Sequence, residues 1–171
     1  MSHPSTLIEQ AKQFAIARHE GHQYGSHPYS FHLEMVALIA KANGADEEQI
    51  AAAWLHDSIE DAGVTYEDIS QRFGVKVADI VWALTGIGQT RLERVLDAVE
   101  KIERTPGAGL VKLADRFANV STSITDHQSR FARRYVSEHP LMRAIFPECE
   151  LKDRLDKLIA VAKHALQDNA L

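Results

Sequence analysis

Two histidines and two aspartates lie beside apolar segments, in positions where a metal site can form. His56 and Asp57 end the apolar run at residues 50–55. Asp115 follows a second apolar stretch, and His32 lies in the first turn of another predicted helix. Imidazole nitrogens and carboxylate oxygens without sulfur suit manganese, iron or zinc. Each residue alone is more often structural, so the metal-site prediction depends on the four residues meeting.

Carboxylates that meet in a protein interior repel each other unless a cation lies between them. At about 4 Å, Asp57 and Asp115 would repel by roughly 4 kcal/mol at an effective dielectric of 20. A cation would turn this cost into attraction, and the cost is a large part of a typical folding stability of about 5–15 kcal/mol. Glu60 and Asp61 lie one helical turn after the His-Asp dipeptide, and from spacing alone they either share a helix face with His56 and Asp57 or form an exposed helix end.

The elements that must bring these residues together are helices. Predicted N-caps are Thr6, Ser30, Asp46, Thr65 and Thr105. Helical periodicity covers residues 6–22, 75–84, 90–104 and 150–167. At least one more helix is predicted within residues 126–147. Two other predicted helices end at Asn43-Gly44 and at Gly74. Because β-alternation never extends beyond a few residues, we predict an all-α, single-domain helical bundle over residues 1–171.

The composition is that of an ordinary globular protein. Its 171 residues are 45% hydrophobic and 25% charged, which excludes a disordered or low-complexity chain. The single cysteine, Cys149, excludes an intramolecular disulfide framework and a cysteine-rich zinc site. A net charge of −5 argues against a generic nucleic-acid binder, and the sequence has no run of 18 apolar residues to span a membrane. Residues 1–4 lack a secretory-signal pattern, so we expect a cytoplasmic protein.

Several motifs occur in a fixed order along the chain. They are HEG at residues 19–21, Pro28-Tyr29 followed by His32, AWLHDSIED at 53–61, FGV at 73–75, Leu84-Thr85 and KLADRFAN at 112–119. In this combination the sequence resembles the HD-domain phosphohydrolases. It is most similar to the hydrolase domain of the RelA/SpoT alarmone enzymes and to their small stand-alone relatives, including the metazoan SpoT homolog. The motifs cover about residues 8–125, and C-terminal helices follow at about 126–171.

The resemblance implies a helical HD fold, one divalent metal ion that is usually manganese, and a set of site residues. By position, the implied residues are the metal ligands His32, His56, Asp57 and Asp115, the catalytic pair Glu60 and Asp61, and the nucleotide-binding Asn119 and Thr122. The family reaction removes pyrophosphate from the 3′ position of guanosine tetra- or pentaphosphate by attack of a water that the ion activates. The expected partner is therefore a small nucleotide, without nucleic-acid or membrane binding.

The loop before His32 departs from the family pattern. Family members usually carry Arg-Lys there, which holds the guanine and the phosphates, whereas this segment reads HEGHQYGSHP at residues 19–28. Tyr24 is expected either to stack on the nucleotide base or to pack on Phe31, and His27 to take part of the phosphate role. Base specificity therefore stays open between a guanosine alarmone and another phosphorylated nucleotide, such as an adenosine alarmone or NADPH. A non-catalytic nucleotide-binding module is the remaining alternative.

Basic residues outside that loop are only weakly indicated as phosphate-binding residues. Arg91 and Lys112 belong to a group of helical cations that we predict to be mostly solvated. Arg116 is expected to pair with a carboxylate rather than with substrate. The RRY segment at residues 133–135 either binds phosphates or forms an exposed helix face, and the exposed face is favoured.

Overall fold

The computed structural model of the chain describes residues 6–168, and this range is all-α apart from one short hairpin. Residues 1–5, on which the secretory-signal prediction falls, and residues 169–171 lie outside it. The elements are α1 (Leu7–Arg18), β1 (Gln23–Tyr24), β2 (His27–Pro28), α2 (Ser30–Ala42), α3 (Glu47–Leu55), α4 (Ser58–Asp61), α5 (Tyr66–Phe73), α6 (Val75–Leu84), α7 (Arg91–Arg104), α8 (Ala108–Thr125), α9 (Ser129–Arg143) and α10 (Glu150–Gln167). In the described range, every helix is too short or too polar to cross a bilayer.

Capping boxes begin three helices where the sequence predicts them. The side chains of Thr6, Asp46 and Thr65 each accept a hydrogen bond from the backbone N–H three residues later. The side chain at that third position returns a bond to the backbone of the cap, which satisfies a second donor. The starts of α1, α3 and α5 therefore follow from local sequence.

The segment after α1 forms a hairpin instead of a last helical turn. α1 ends at Arg18 rather than at the predicted residue 22, and the chain then turns through Gly21, whose φ of 83° favours glycine. β1 and β2 pair antiparallel, with Tyr24 opposite His27. Strands of two residues leave no periodic signal, so the sequence does not predict this hairpin.

Two predicted caps are wrong. Tyr29, not Ser30, is the N-cap of α2, and no side chain caps that helix start. Gly107, whose φ is 89°, immediately precedes α8. Thr105 instead follows the last residue of α7, with its backbone N–H donating to Ile102. In both cases the cap is set by the path of the preceding chain rather than by a side chain.

Helix α3 lies in the core of the bundle. Its residues 50–55 are all buried, as the absence of a polar face predicts. Helices α1, α2, α6 and α8 pack around it, so the residue that follows it, His56, is only 3% exposed. A second cluster of buried apolar side chains joins the C-terminal helices, with Val95 from α7, Leu113 from α8, Met142 from α9 and Leu155 from α10.

Candidate metal centre and active site

Four side chains from different parts of the chain meet inside the bundle. His32 comes from α2, His56 and Asp57 follow α3, and Asp115 comes from α8. The Nε2 atoms of the two histidines are 3.3 Å apart. Asp115 Oδ1 lies 3.3 Å from Nε2 of His32, and Asp57 Oδ2 lies 2.9 Å from Nε2 of His56. The structure therefore brings together the four residues that the sequence predicts as metal ligands.

A backbone break lets His56 and Asp57 face the same point. Adjacent residues of a continuous helix point about 100° apart, because one turn takes 3.6 residues. Here α3 ends at Leu55, α4 begins at Ser58, and Asp57 between them has φ −98° and ψ 0°. This conformation is sparsely allowed and is frequent at active sites. The turn places Asp57 Oδ2 2.9 Å from Nε2 of His56, so both side chains face the same ligand cluster.

The donor atoms fit a divalent cation. His56 donates from Nδ1 to the Ala53 carbonyl at 2.8 Å, so Nε2 is the ring nitrogen that faces the other ligand atoms. One donor atom each from His32, His56 and Asp57 lie within 4.8 Å of one another. Buried nitrogen and oxygen donors without sulfur are the set that manganese, iron and zinc accept. A candidate divalent-metal site is thus present.

Opposite charges stabilise this cluster. Burial disfavours the charged form of His56, but the carboxylates of Asp57 and Asp115 outweigh it and raise the pKa of His56 to about 9. Burial also opposes ionisation of Asp57, yet His56 keeps the pKa of that carboxyl below its usual value. For Asp115, burial is outweighed chiefly by Lys112, whose Nζ lies 2.9 Å from Oδ2 and which holds the pKa of Asp115 well below normal. Both aspartates are therefore negatively charged at neutral pH.

Glu60 and Asp61 lie on the short helix α4 and line the same cavity as the candidate ligands. Partial burial and the neighbouring charge of Asp57 raise the pKa of both carboxyls above their usual values. A carboxylate with a raised pKa is a better proton acceptor near neutral pH. The pair is placed where it can act on a group bound at the cluster.

A cavity of about 430 Å³ opens onto the candidate metal site. Its wall includes four cationic side chains. Arg116 is paired with Glu138, and the other three are Arg91 from α7, Lys112 from α8 and Arg134 from α9. The sequence favours solvated positions for Arg91, Lys112 and Arg134. Arg91 is exposed as predicted, whereas Lys112 and Arg134 are half-buried. They are far apart in the sequence, so no local pattern could have grouped them.

Arg116 pairs with a carboxylate, as predicted. Its Nη2 donates to Glu138 Oε2 at 2.9 Å, and Arg91 Nε donates to Oε1 of the same carboxylate at 2.7 Å. Arg116 is 2% exposed, and its guanidinium lies over the Tyr135 ring at 4.8 Å from the centroid. This Arg91–Glu138–Arg116 triad joins α7, α8 and α9 beside the cavity.

Tyr24 connects the hairpin to the ligand cluster. Its ring stacks on His32 with centroids 4.5 Å apart, and its hydroxyl donates to Asn119 Oδ1 at 3.0 Å. Asn119 in turn donates from Nδ2 to Asp115 Oδ1 at 2.5 Å. The Thr122 side chain lies within hydrogen-bonding reach of the Tyr24 hydroxyl, although Thr122 lies outside the cavity lining. The three residues expected to contact the nucleotide are therefore neighbours.

The alternative position for Tyr24, packed on Phe31, is wrong. Phe31 stacks instead on His27, with centroids 4.5 Å apart and an interplanar angle of 23°. His27 is exposed and lies outside the cavity lining, so the hairpin brings no basic side chain to the site in place of the missing Arg-Lys.

Comparison with known proteins identifies relatives among alarmone enzymes. The sequence matches the family model for the HD domain over residues 11–139. It is 38% identical over 121 residues to guanosine-3′,5′-bis(diphosphate) 3′-pyrophosphohydrolase of Aquifex aeolicus strain VF5, covering 67% of this chain and 17% of that protein. It is 34% identical over 131 residues to the bifunctional (p)ppGpp synthase/hydrolase SpoT of Escherichia coli K12, covering 70% of this chain and 19% of that protein.

The fold is similar to that of a solved structure described as "A metazoan ortholog of SpoT hydrolyzes ppGpp and plays a role in starvation responses". The TM-score is 0.73 at 24% sequence identity, covering 97% of this chain and 99% of that one. The chain spans less than a fifth of the length of the curated relatives it matches. Because the HD-domain match extends over most of the sequence, the chain belongs to the HD-domain family.

Proposed function

We propose that these 171 residues form one HD domain that binds a single manganese ion and removes pyrophosphate from the 3′ position of guanosine tetra- or pentaphosphate. The observation that carries this proposal is the convergence of two buried histidines and two charged aspartates beside the pair Glu60 and Asp61. The pyrophosphohydrolase activity named for the Aquifex aeolicus relative and the (p)ppGpp hydrolase activity named for the Escherichia coli relative support the same reaction.

His32, His56, Asp57 and Asp115 are the proposed metal ligands. When bound, a divalent ion lowers the pKa of water and neutralises charge that develops on the phosphoryl group. Two features of the protein favour its binding. The Ala53 carbonyl fixes the orientation of the His56 ring, and the two aspartates stay ionised. These groups are in place before substrate arrives.

Glu60 is proposed to accept a proton from the attacking water, with Asp61 supporting it. Both carboxyls line the cavity, and both have raised pKa values because of partial burial and the charge of Asp57. General acid–base assistance of this kind is typically worth about 10²–10⁴-fold in rate.

The cavity offers cations for the substrate phosphates. We propose that Arg91, Lys112 and Arg134 neutralise the phosphate groups, since all three line the cavity that contains the acidic pair. Guanidinium groups suit this role because their planar donors can bind two phosphate oxygens at once. These helical residues would replace the missing basic pair of the loop.

The nucleoside is proposed to contact Tyr24, Asn119 and Thr122. Tyr24 and Asn119 line the cavity and are hydrogen-bonded to each other, and Thr122 lies beside the Tyr24 hydroxyl. Together they form a continuous polar and aromatic surface next to Asp115. Such a surface binds the sugar and stacks on a base without reading the base strictly.

A second substrate class is favoured by one observation. The hairpin brings no basic side chain into the cavity lining, and its exposed His27 is stacked on Phe31. A site without the family's guanine-holding residues is suited to other phosphorylated nucleotides, so adenosine alarmones and NADPH are the competing substrates.

The experiment is a product assay with manganese that separates pyrophosphate from orthophosphate. Guanosine tetraphosphate, an adenosine alarmone and NADPH are compared with the wild-type protein and with Glu60→Gln. We expect pyrophosphate from guanosine tetraphosphate, and turnover about 10²–10⁴-fold lower in the variant. Glu100→Gln, on the exposed face of α7 where it pairs with Arg104, is the matched control and should keep wild-type activity.

Three results would contradict parts of this proposal. Near-normal activity of Glu60→Gln would show that Glu60 is not the proton acceptor. Orthophosphate release from NADPH with little guanosine turnover would favour the second substrate class. Nucleotide binding without product under any divalent metal would instead indicate a non-catalytic module.

A further inference from the structure

The Tyr29 hydroxyl bonds directly to the candidate metal centre. It donates to Asp57 Oδ2 at 2.6 Å, the same oxygen that lies 2.9 Å from Nε2 of His56. Asp61 Oδ2 is 3.5 Å from the same hydroxyl. One phenol therefore touches both a proposed ligand and a member of the proposed catalytic pair. Tyr29 belongs to the motif of Pro28-Tyr29 followed by His32, for which the sequence gives Tyr29 no role of its own.

The ring of Tyr29 is held in place by a buried histidine. It stacks on His19 with centroids 4.9 Å apart and an interplanar angle of 6°. His19 is only 3% exposed, and its Nδ1 is bonded to the Ala15 carbonyl at 3.0 Å, which fixes the imidazole against α1. Stacking on this buried, hydrogen-bonded imidazole therefore restricts the direction in which the Tyr29 hydroxyl points.

The backbone of Tyr29 also sets the helix that carries His32. As the N-cap of α2, Tyr29 accepts hydrogen bonds at its carbonyl from the backbone N–H groups of His32 at 3.0 Å and Leu33 at 3.3 Å. Its own N–H donates to the His22 carbonyl at 3.0 Å. A single residue thus joins the end of α1, the start of α2 and the turn after α3.

We propose that Tyr29 is a positioning residue of the metal centre, whose hydroxyl orients the Asp57 carboxylate and so strengthens binding of the divalent ion. This inference rests on the proposed function, because it assumes that Asp57 is a ligand. Partners that hydrogen-bond a ligand carboxylate restrict its rotation, and removing such a partner typically weakens metal affinity by about 10–100-fold.

The test measures manganese alone, without nucleotide, by isothermal titration calorimetry. Tyr29→Phe keeps the ring that stacks on His19 and removes only the hydroxyl. Tyr66→Phe is the matched control, because it removes a hydroxyl that donates to Asp79 at 2.8 Å on an exposed surface. We expect a dissociation constant about 10–100-fold higher for Tyr29→Phe and an unchanged one for Tyr66→Phe.

Two further readouts separate positioning from a general loss of structure. Thermal unfolding of the metal-free proteins should give similar midpoints for both variants. In activity assays, Tyr29→Phe should need about 10–100-fold more manganese for half-maximal rate and should recover most of its turnover at saturation.

The outcomes distinguish this inference from the proposed function. A manganese affinity of Tyr29→Phe equal to that of wild type would overturn the positioning role and leave the metal centre intact. An equal loss in Tyr66→Phe would overturn it as well, since the effect would not be local. If the wild-type protein bound no divalent metal, the metal centre and the role of Tyr29 would both be wrong.

Discussion

Replacing Glu138 by Gln tests the Arg91–Glu138–Arg116 triad beside the cavity. The carboxylate accepts from Arg91 Nε at 2.7 Å, from Arg91 Nη2 at 3.1 Å and from Arg116 Nη2 at 2.9 Å. Glutamine has almost the same size, but it carries no charge and presents an NH₂ donor that cannot face a guanidinium. The change therefore removes the charge and leaves the shape.

The loss in free energy of unfolding is determined by Arg116, because the substitution leaves this buried cation without its carboxylate partner. Arg116 is 2% exposed, and its Nε and Nη1 atoms are buried without a hydrogen-bond partner among the described residues. Glu138 is thus its only carboxylate contact there. Breaking a buried ion pair on one side typically costs about 3–5 kcal/mol, because the remaining charge is uncompensated. At about 2–4 °C per kcal/mol for a chain of this size, the melting temperature should fall by about 6–20 °C.

The assay is thermal and urea unfolding followed by circular dichroism at neutral pH. Glu100→Gln is the control, because its partner Arg104 is itself exposed and keeps its hydration when the carboxylate is removed. We expect an unchanged unfolding midpoint for that control, because solvent screens an exposed ion pair. A loss below about 1 kcal/mol for Glu138→Gln would refute the reasoning that Arg116 depends on this carboxylate.

The ionisation of Glu138 also predicts how the stability of the protein changes with pH. Burial raises the pKa of Glu138, but its hydrogen bonds from Arg91 and the charge of Arg116 outweigh this and keep it below the usual 4.5. A carboxyl whose pKa is lower in the folded than in the unfolded state stabilises the protein fully at pH values above the unfolded-state pKa. That stabilisation is lost as the pH falls through the folded-state pKa. The stability difference between wild type and Glu138→Gln should therefore be constant above about pH 5.5 and shrink below pH 4.5.

Two more predictions concern the site and the loop after α6. In the wild-type protein, manganese at 100 times its dissociation constant should stabilise the fold by about 2.7 kcal/mol. Asp115→Asn should abolish this stabilisation. An unchanged metal-dependent rise in melting temperature would contradict the assignment of Asp115 as a ligand. Gly86→Ala should cost about 1–3 kcal/mol in urea unfolding, because a Cβ there would lie 2.5 Å from the Arg94 carbonyl oxygen and 2.9 Å from Arg94 Cβ. An unchanged unfolding midpoint would show that α7 shifts at no cost.

Local chemistry explains why much of the fold could be predicted. Capping side chains at Thr6, Asp46 and Thr65 act within three residues, so the sequence shows both partners of each bond. The interior position of α3 could be predicted because its side chains are apolar all round. The hairpin and the caps at Tyr29 and Gly107 could not, because they depend on backbone turns that carry no periodic signal.

The site divides in the same way. The candidate ligands and the acidic pair belong to motifs that the sequence displays, and the fold brings them together. The cationic wall was missed because Arg91 and Arg134 are 43 positions apart in the chain and meet only through helix packing. Glu138 gave no signal either, because its two partners lie on other helices.

The break between α3 and α4 has a consequence for protein engineering. A His-Asp dipeptide grafted onto an unbroken helix of another bundle would present its two donors in divergent directions and build half of a binding site. A successful transplant would have to carry the Asp57 dihedral angles and the buried alanines that seat the turn against its neighbours. The transferable unit is therefore a kinked helix terminus, because the His-Asp sequence alone does not bring the two donor atoms together.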